Sequence, residues 1–330
     1  MRICKVVHNF VFMILHQRKV ILLSGLLLFS LISMAQTPSF KVVPLGVKGG
    51  IDESNLSAYM VAPYASNNYI CLDAGTLYTG IQKAIDRKVF KLPAGQVLKQ
   101  YIKAYFISHS HLDHLSGLII NSPEDTAKTI YANAECIDVF KNNYFTWKAW
   151  ANFANEGEKP QLNKYHYEVL TPGKEVSVTG TALTVQAFPL SHSNLQSTAF
   201  LVNSNGNYLL YLGDTGPDEV EKSQNLHNLW QTIAPLVKAE KIKAIMIEVS
   251  FPNEQPDKTL FGHFTPVWLM KEMAQLSELT GLAALQKVNI VITHVKPPQS
   301  HINRIKEQLK AGNNLRLKLV YPEQGKAMEF

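Results

Sequence analysis

Residues 109–117 read HSHLDHLSG and follow the mostly apolar segment YIKAYFIS at residues 101–108. The apolar segment predicts a buried strand, and three imidazoles and a carboxylate fall within six residues at its end (His109, His111, Asp113 and His114). This mixture of nitrogen and oxygen ligands favours a first-row transition metal. His109 and His111 would point the same way in an extended segment, whereas Asp113 and His114 follow a turn and would face a second ion. A single histidine at a strand end is often structural, but a cluster of this size favours a metal site.

Other apolar segments end in side chains of the same chemistry. The ends are His109, His192, Asp214, Glu248 and His294. One such ending carries little information, but five imply one rim at which the strands converge. Between them, Asn205-Gly206 separates two apolar segments and predicts a tight hairpin turn. Strand-like and helix-like segments alternate along the chain, which favours a single α/β domain over residues 36–330.

The first 35 residues differ from the rest of the chain. They carry four basic residues and no acidic one, followed by the apolar stretch VILLSGLLLFSLISM at residues 20–34. Small residues at Ser33 and Ala35 precede Gln36, so residues 1–35 are predicted to be a secretory signal, with cleavage before Gln36. A retained N-terminal anchor is the alternative, although the stretch is shorter than the roughly 20 residues of a membrane span. Met13 would be an alternative start. The mature protein is expected to be periplasmic or secreted, without stable membrane association.

Removal of residues 1–35 changes the charge of the protein. The whole chain has a formal charge of +6, and the remaining 28 basic and 26 acidic residues give +2. Nucleic-acid binding is therefore not expected, because it normally needs a basic face. Cys71 and Cys136 remain in the mature chain and are expected to be buried free thiols, although sequence alone leaves their pairing open.

The His-x-His-x-Asp-His pattern resembles that of the metallo-β-lactamase superfamily. The longer string HSHLDHLSGLIINSP at residues 109–123 resembles a narrower family, the class II 3′,5′-cyclic-nucleotide phosphodiesterases. Further resemblance lies in GVKGGIDESNLSAY at residues 46–59, LSH at 190–192, LGDTG at 212–216 and ITHVKP at 292–297. The resemblance implies a four-layer αβ/βα sandwich of the metallo-β-lactamase type, and a strand-end Asp73 that braces the metal loop.

The resemblance also implies a dinuclear metal site. One ion would be held by His109, His111 and His192, and the other by Asp113, His114 and His294, with Asp214 bridging both. The expected ions are two divalent cations, Zn²⁺ first, with Mn²⁺ and Fe²⁺ as alternatives. The expected reaction is hydrolysis of 3′,5′-cyclic nucleotides, cAMP before cGMP, to 5′-monophosphates by metal-hydroxide attack on phosphorus. Asp113, His263 and Glu248 are the expected catalytic residues: His263 is the general acid and Glu248 orients it.

Several alternatives stay open at this stage. The alternative functions are those of an RNA phosphodiesterase, a thioester or lactone hydrolase, and a metal-binding protein without turnover. His263 would have no catalytic role in a thioester hydrolase. The alternative for His263 is a structural role as the cap of the helix that follows it. Residues 144–167 are rich in aromatics (Tyr144, Trp147, Trp150 and Phe153), and they form either a flap that stacks on a purine or a loop packed on the protein body. His166, His227 and His301 match no motif and are expected at the solvated surface. The oligomeric state is not predicted.

Overall fold

The computed structural model describes residues 37–330, so the predicted signal segment and Met13 lie outside the described residues. The first sheet contains β1 (Phe40–Gly46), β2 (Ala58–Pro63), β3 (Tyr69–Leu72), β4 (Ile102–Phe106), β5 (Lys128–Ala132), β6 (Tyr165–Val169) and β14 (Met328–Glu329). The second contains β7 (Glu175–Ser177), β8 (Thr184–His192), β9 (Leu195–Ser204), β10 (Asn207–Tyr211), β11 (Ile242–Glu248), β12 (Asn289–Thr293) and β13 (Lys318–Val320). Both sheets are therefore seven-stranded.

The strand order places the parallel strands on one side of each sheet and the antiparallel strands on the other. The first sheet runs β14-β1-β2-β3-β4-β5-β6, with parallel pairing from β3 to β6. The second runs β13-β12-β11-β10-β9-β8-β7, with parallel pairing from β10 to β13.

Helices cover the outer face of each sheet. They are α1 (Tyr78–Asp86), α2 (Ala94–Gln100), α3 (Leu112–Asn121), α4 (Ala134–Val139), α5 (Asp218–Glu221), α6 (Asn225–Lys238), α7 (Pro266–Thr280), α8 (Leu282–Leu285) and α9 (Gln299–Gly312). A π-helical turn at Phe140–Tyr144 continues α4, and a 3₁₀ turn lies at Asp257–Thr259. Among the described residues, no helix combines the length and the apolar character that a membrane crossing requires.

Three hydrophobic clusters define the layers. Apolar residues of α1–α4, such as Ile81 and Leu115, pack on the outer face of the first sheet. Trp230 of α6 and Leu269 of α7 belong to the cluster that covers the second sheet. The third cluster lies between the sheets, where the Phe106 and Phe200 ring centroids are 5.5 Å apart. The order helix, sheet, sheet, helix is the predicted four-layer αβ/βα sandwich.

The local predictions for the hairpin turn and the cysteines agree with the structure. Asn205 and Gly206 both have positive φ and join β9 to β10, as a type I′ hairpin turn requires. Helix α3 begins at Leu112, so Asp113 and His114 lie in its first turn. Cys71 and Cys136 are both buried and free, as expected.

Candidate metal centre and active site

Asp73 organises the loop that carries the metal motif. It follows β3 with φ of 52°, a left-handed conformation that Asp tolerates better than most residues. Its buried carboxylate accepts hydrogen bonds from the backbone N–H and the hydroxyl of Ser108, at 2.7 and 2.8 Å. It also accepts the Tyr211 hydroxyl at 2.5 Å and Nδ1–H of His114 at 2.7 Å. Asp73 therefore fixes both the start of the loop and the orientation of a predicted ligand.

The structure brings His109, His111 and His192 together, with one ligand atom of each within 4.8 Å of the others. The Nε2 atom of His192 lies 3.3 Å from Nδ1 of His111. His192 donates Nδ1–H to the carbonyl oxygen of Gly262 at 2.7 Å, which leaves its Nε2 as a lone-pair donor. The Ser108 hydroxyl donates to Asp73, so its oxygen accepts Nδ1–H of His109 at 3.0 Å and the His109 Nε2 is free in the same way.

A second set of predicted ligands, Asp113, His114 and His294, meets beside the first. The Nε2 atoms of His114 and His294 are 3.1 Å apart, and Nε2 of His294 lies 3.1 Å from the Asp113 carboxylate. The Ser250 hydroxyl donates to Glu248 at 2.6 Å, and its oxygen accepts Nδ1–H of His294 at 2.9 Å. The His294 tautomer therefore also presents an Nε2 lone pair to the site.

Asp214 stands between the two sets. Its Oδ2 lies 3.2 Å from Nε2 of both His114 and His294. The same oxygen lies 3.9 Å from Nε2 of both His109 and His192. Its Oδ1 is buried without a hydrogen-bond partner among the described residues, as is Nε2 of His109. Asp214 therefore faces both sets of ligands, as a bridging ligand must.

This donor set fits two divalent cations. Imidazole nitrogens and carboxylate oxygens converge in one buried space, an arrangement that bound cations would stabilise. Burial opposes protonation of His114, but Asp214, Asp73 and Asp113 raise its pKa well above the ordinary value. Burial lowers the pKa of His109 well below its ordinary value and that of His192 to about 4, which keeps both imidazoles available as metal ligands. Burial opposes ionisation of Asp214, but His114 and His294 hold its pKa well below the usual range. Each of the seven predicted ligands takes part in the centre; their role as ligands remains a prediction.

Glu248 and His263 form a hydrogen-bonded pair at the edge of the centre. His263 donates Nδ1–H to Oε1 of Glu248 at 2.6 Å, and the same Nδ1 lies 3.8 Å from Oδ2 of Asp214. Burial and the nearby Asp214 raise the pKa of Glu248 to about 7. Burial lowers the pKa of His263 to about 3. His263 is therefore bound to Glu248 rather than acting only as a helix cap.

Close backbone approaches hold the imidazole rings in place. Lys48 forms an isolated β-bridge with Val295, which places Gly49 against the backbone next to His294. A Cβ atom at Gly49 would lie 2.1 Å from Cε1 of His294. Gly262 has φ of 76°, and a Cβ there would lie 2.6 Å from Nδ1 of His192. Only glycine leaves room for the two rings at these positions.

The aromatic residues of segment 144–167 are held by contacts within the segment and with the protein body. Trp147 and Trp150 donate their indole N–H groups to the Pro160 carbonyl and the Ser122 hydroxyl, at 2.8 and 3.0 Å. Phe153 and Trp150 pack against the core of the first sheet. Tyr144 donates its hydroxyl to the carbonyl oxygen of Ser110, inside the metal motif, at 2.9 Å. The packed loop, and not the flap, describes this segment in the structure.

The remaining histidines lie apart from the centre. His166 and His301 are exposed, as predicted. His227 lies in the first turn of α6 and is half-buried, and its ring contacts the exposed Gln231 side chain at 2.9 Å.

Sequence reasoning missed three residues that touch the centre: Ser108, Ser250 and Lys296. The two serine hydroxyls fix imidazole tautomers through contacts that no local pattern reveals. The Lys296 ammonium lies 2.8 Å from Nε2 of His263. The only signal for it was a cation two residues after His294 in ITHVKP.

Comparison with known proteins places the chain in a family. The profile of the family described as cAMP phosphodiesterases class-II matches residues 92–325. A 3′,5′-cyclic-nucleotide phosphodiesterase of Aliivibrio fischeri is 45% identical over 311 residues, covering 90% of this chain and 94% of that protein. A probable 3′,5′-cyclic-nucleotide phosphodiesterase of Yersinia pestis is 40% identical over 326 residues, covering 94% and 95%.

Solved structures agree on the fold. The crystal structure of unliganded yeast PDE1 is similar with a TM-score of 0.79 and 21% identity, covering 89% of this chain and all of that chain. A metallo-β-lactamase fold protein of Bacillus subtilis has a TM-score of 0.58 and 16% identity, covering 89% of this chain and 100% of that chain. The predicted fold class is thus confirmed, and the chain belongs to the class II cAMP phosphodiesterase family, whose members are phosphodiester hydrolases.

Proposed function

We propose that this enzyme hydrolyses 3′,5′-cyclic nucleotides, cAMP in preference to cGMP, to nucleoside 5′-monophosphates at a dinuclear metal centre. The observation that carries the proposal is the convergence of His109, His111, His192, Asp113, His114, His294 and Asp214 beside the Glu248–His263 pair. Family membership supports the phosphodiester substrate class.

Each ion has its own set of protein ligands in this proposal. His109, His111 and His192 would hold one, Asp113, His114 and His294 the other, and Asp214 both. Zn²⁺ suits the imidazole-rich set best, with Mn²⁺ and Fe²⁺ as alternatives. When bound, the ions would make a water nucleophilic at neutral pH and neutralise charge on the phosphoryl oxygens.

The Glu248–His263 pair would manage the proton that the departing 3′ oxygen needs. Nδ1–H of His263 is engaged by Glu248 at 2.6 Å, so the ring can present only Nε2 to a substrate. A proton held at Nε2 would pass to the leaving oxygen, while the Glu248 carboxylate stabilises the charged ring and fixes its orientation. Ser250 donates to the other oxygen of Glu248 and holds that carboxylate in place.

Apolar side chains beside the centre would receive the nucleobase. Ile51, Leu112 and Phe261 are 84%, 59% and 64% exposed, so their side chains are accessible to a substrate. Leu112 lies between two predicted ligands, and Phe261 precedes Gly262, whose carbonyl binds His192. Ile51 follows Gly50, whose N–H donates to Asp113 at 2.9 Å. These three residues replace the aromatic segment 144–167 as the candidate surface for the base.

Steady-state turnover tests the proposal. The metal-loaded protein of residues 36–330 would be assayed on 3′,5′-cAMP, 2′,3′-cAMP, an aryl phosphodiester and a thioester, with His263→Ala in parallel. The proposal expects selective formation of 5′-AMP from 3′,5′-cAMP and a kcat loss of about 10²–10⁴ in the variant. Cleavage of the aryl diester without cleavage of 3′,5′-cAMP would overturn the substrate, and an unchanged kcat in His263→Ala would overturn the acid.

We also propose that the enzyme is exported and acts in the periplasm or outside the cell. The support is the basic and apolar pattern of residues 1–35, which lie outside the described residues. Cell fractionation and N-terminal sequencing of the protein from its natural host test this. A mature chain beginning at Gln36 outside the cytoplasm is expected, and an uncleaved cytoplasmic chain would contradict the proposal.

A further inference from the structure

Lys296 lies at the edge of the metal centre without an acidic partner. Its Nζ is 2.8 Å from Nε2 of His263, and none of the ion pairs within 4.0 Å among residues 37–330 involves it. The residue is half-buried, and its ammonium lies 5.0 Å from the centroid of the Phe251 ring. A half-buried ammonium whose nearest polar contact is a neutral imidazole nitrogen has unused capacity for an anion.

The backbone around Lys296 holds its side chain beside the metal centre. Lys296 follows His294 by two residues, and its backbone N–H donates to the Ser250 carbonyl at 3.4 Å. Its side-chain stem passes the Gly49-Gly50 loop, since a Cβ at Gly50 would lie 3.9 Å from the Lys296 Cδ. After burial and His114, the positive charge of Lys296 is among the causes that lower the pKa of His111. Lys296 thus contacts His263, and its charge also reaches His111 of the first ligand set.

We propose that Lys296 is the substrate-binding cation of this site and forms a charge-assisted hydrogen bond with a phosphoryl oxygen of the cyclic phosphodiester. This inference rests on the proposed function, because it assigns the residue that recognises the anionic part of that substrate. A lysine acts as a point charge toward phosphate, which suits an oxygen that moves during the reaction.

The same contact explains how the site holds His263 before substrate binds. Nε2 of His263 accepts a hydrogen bond from the ammonium, and that nitrogen is the atom that must face the leaving oxygen. When the ammonium turns to the phosphoryl oxygen, Nε2 is released, takes up a proton from solvent water and can then give that proton to the leaving oxygen. Lys296 therefore discriminates for anionic substrates in two ways: it binds the charge, and it frees the imidazole only when the charge is present.

The test compares Lys296→Met, Lys296→Arg and Lys306→Met in the metal-loaded enzyme. Lys306 is a matched control because its exposed ammonium also lies over an aromatic ring, 5.3 Å from the centroid of Tyr321. The readouts are metal content, the Kd of 5′-AMP and of uncharged adenosine by calorimetry, and the KM and kcat for 3′,5′-cAMP. Binding of 5′-AMP requires no turnover, so it is measured whether or not the wild type hydrolyses cAMP.

The expected result is a loss of about 10- to 100-fold in 5′-AMP affinity for Lys296→Met, as for a hydrogen bond to a charged group. Adenosine affinity and metal content should stay unchanged, Lys296→Arg should recover part of the loss, and Lys306→Met should bind as the wild type does. Wild-type affinity for 5′-AMP in Lys296→Met would overturn the inference. Loss of metal or of folding in Lys296→Met, without recovery in Lys296→Arg, would assign Lys296 a structural role instead. If the wild type fails to hydrolyse 3′,5′-cAMP while the 5′-AMP pattern holds, the proposed function fails and the anion-binding role stands.

Discussion

The Asp73 carboxylate accepts Nδ1–H of His114 at 2.7 Å, and this contact joins the end of β3 to the ring that faces Asp214. The same carboxylate holds Ser108, whose hydroxyl oxygen accepts Nδ1–H of His109. One buried residue therefore sets the tautomers of two predicted ligands, one from each set. Partners of this kind are worth about 10- to 100-fold in metal affinity.

Asp73→Asn should lower metal affinity by about 10- to 100-fold. In the wild type both carboxylate oxygens accept hydrogen bonds, whereas the amide NH₂ group of asparagine is a donor and cannot accept them. Asparagine tolerates the left-handed backbone at this position, so the loop itself should form. Chelator competition measures the affinity. Asp125→Asn is the control, since Asp125 is also buried and accepts the Tyr105 and Tyr165 hydroxyls at 2.7 and 2.9 Å. Equal metal affinity in Asp73→Asn and the wild type would contradict the role of Asp73.

Gly49→Ala should displace the His294 ring, because the new Cβ would lie 2.1 Å from Cε1. The ion held by Asp113, His114 and His294 should be lost or bound far more weakly. Metal content after dialysis measures this, with one ion expected where the wild type retains two. Gly95→Ala in α2 is the control, because nothing lies within 4 Å of its added Cβ. Two ions retained in Gly49→Ala would show that the loop can move aside.

Glu248→Gln should lower kcat by about 10- to 100-fold with little change in KM, because Glu248 acts by orienting His263 and stabilising its charged form. A double-mutant cycle separates this from an independent effect. In the His263→Ala background, the Glu248→Gln substitution should have almost no further effect on kcat. Fully additive losses would mean that Glu248 does not act through His263.

Glu272→Gln should change the pH dependence of stability away from the metal centre. Burial raises the pKa of Glu272, opposed by the hydrogen bond that Trp230 Nε1–H donates at 2.8 Å, with Asp218 and His227 the other charged neighbours. Because the folded carboxyl binds its proton more tightly than the unfolded one, wild-type stability falls as pH rises through and above the ordinary value of 4.5.

The variant lacks this titration. The Tm of the variant minus the Tm of the wild type should therefore be larger at pH 7.5 than at pH 4.5. Thermal unfolding of the metal-free proteins measures this difference. Glu278→Gln, an exposed position on the same helix α7, serves as the control and should follow the wild type. A difference that does not change with pH would contradict the assignment.

Much of the centre was predictable because its ligands follow apolar strands. Glu248 is the last residue of β11 and His294 directly follows β12, and neighbouring parallel strands bring such ends to one edge. His192 is the last residue of the antiparallel strand β8. Asn205-Gly206 was equally readable, because few dipeptides accept positive φ at both positions. These features are local in the sequence or follow from strand periodicity.

The residues that sequence reasoning missed depend on tertiary contacts. Ser250 and His294 are 44 positions apart, and nothing near Ser250 shows that its hydroxyl meets an imidazole. Lys296 has the pattern of an ordinary surface lysine until the fold places His263 against it. Trp147 and Trp150 suggested a flap by composition, but the indole N–H of Trp147 binds Pro160 within the segment and that of Trp150 binds Ser122 on the protein body. Composition cannot distinguish an aromatic that binds substrate from one that packs.

The most direct test of the account is a metal titration of the metal-free protein with product analysis. Zn²⁺ would be added in steps while the conversion of 3′,5′-cAMP is followed by chromatography, beside Asp214→Asn. The account predicts no turnover without metal, full formation of 5′-AMP at two equivalents, and no comparable activity in Asp214→Asn at the same metal load. Full turnover at zero or one equivalent, or two bound ions with no conversion of 3′,5′-cAMP, would contradict it.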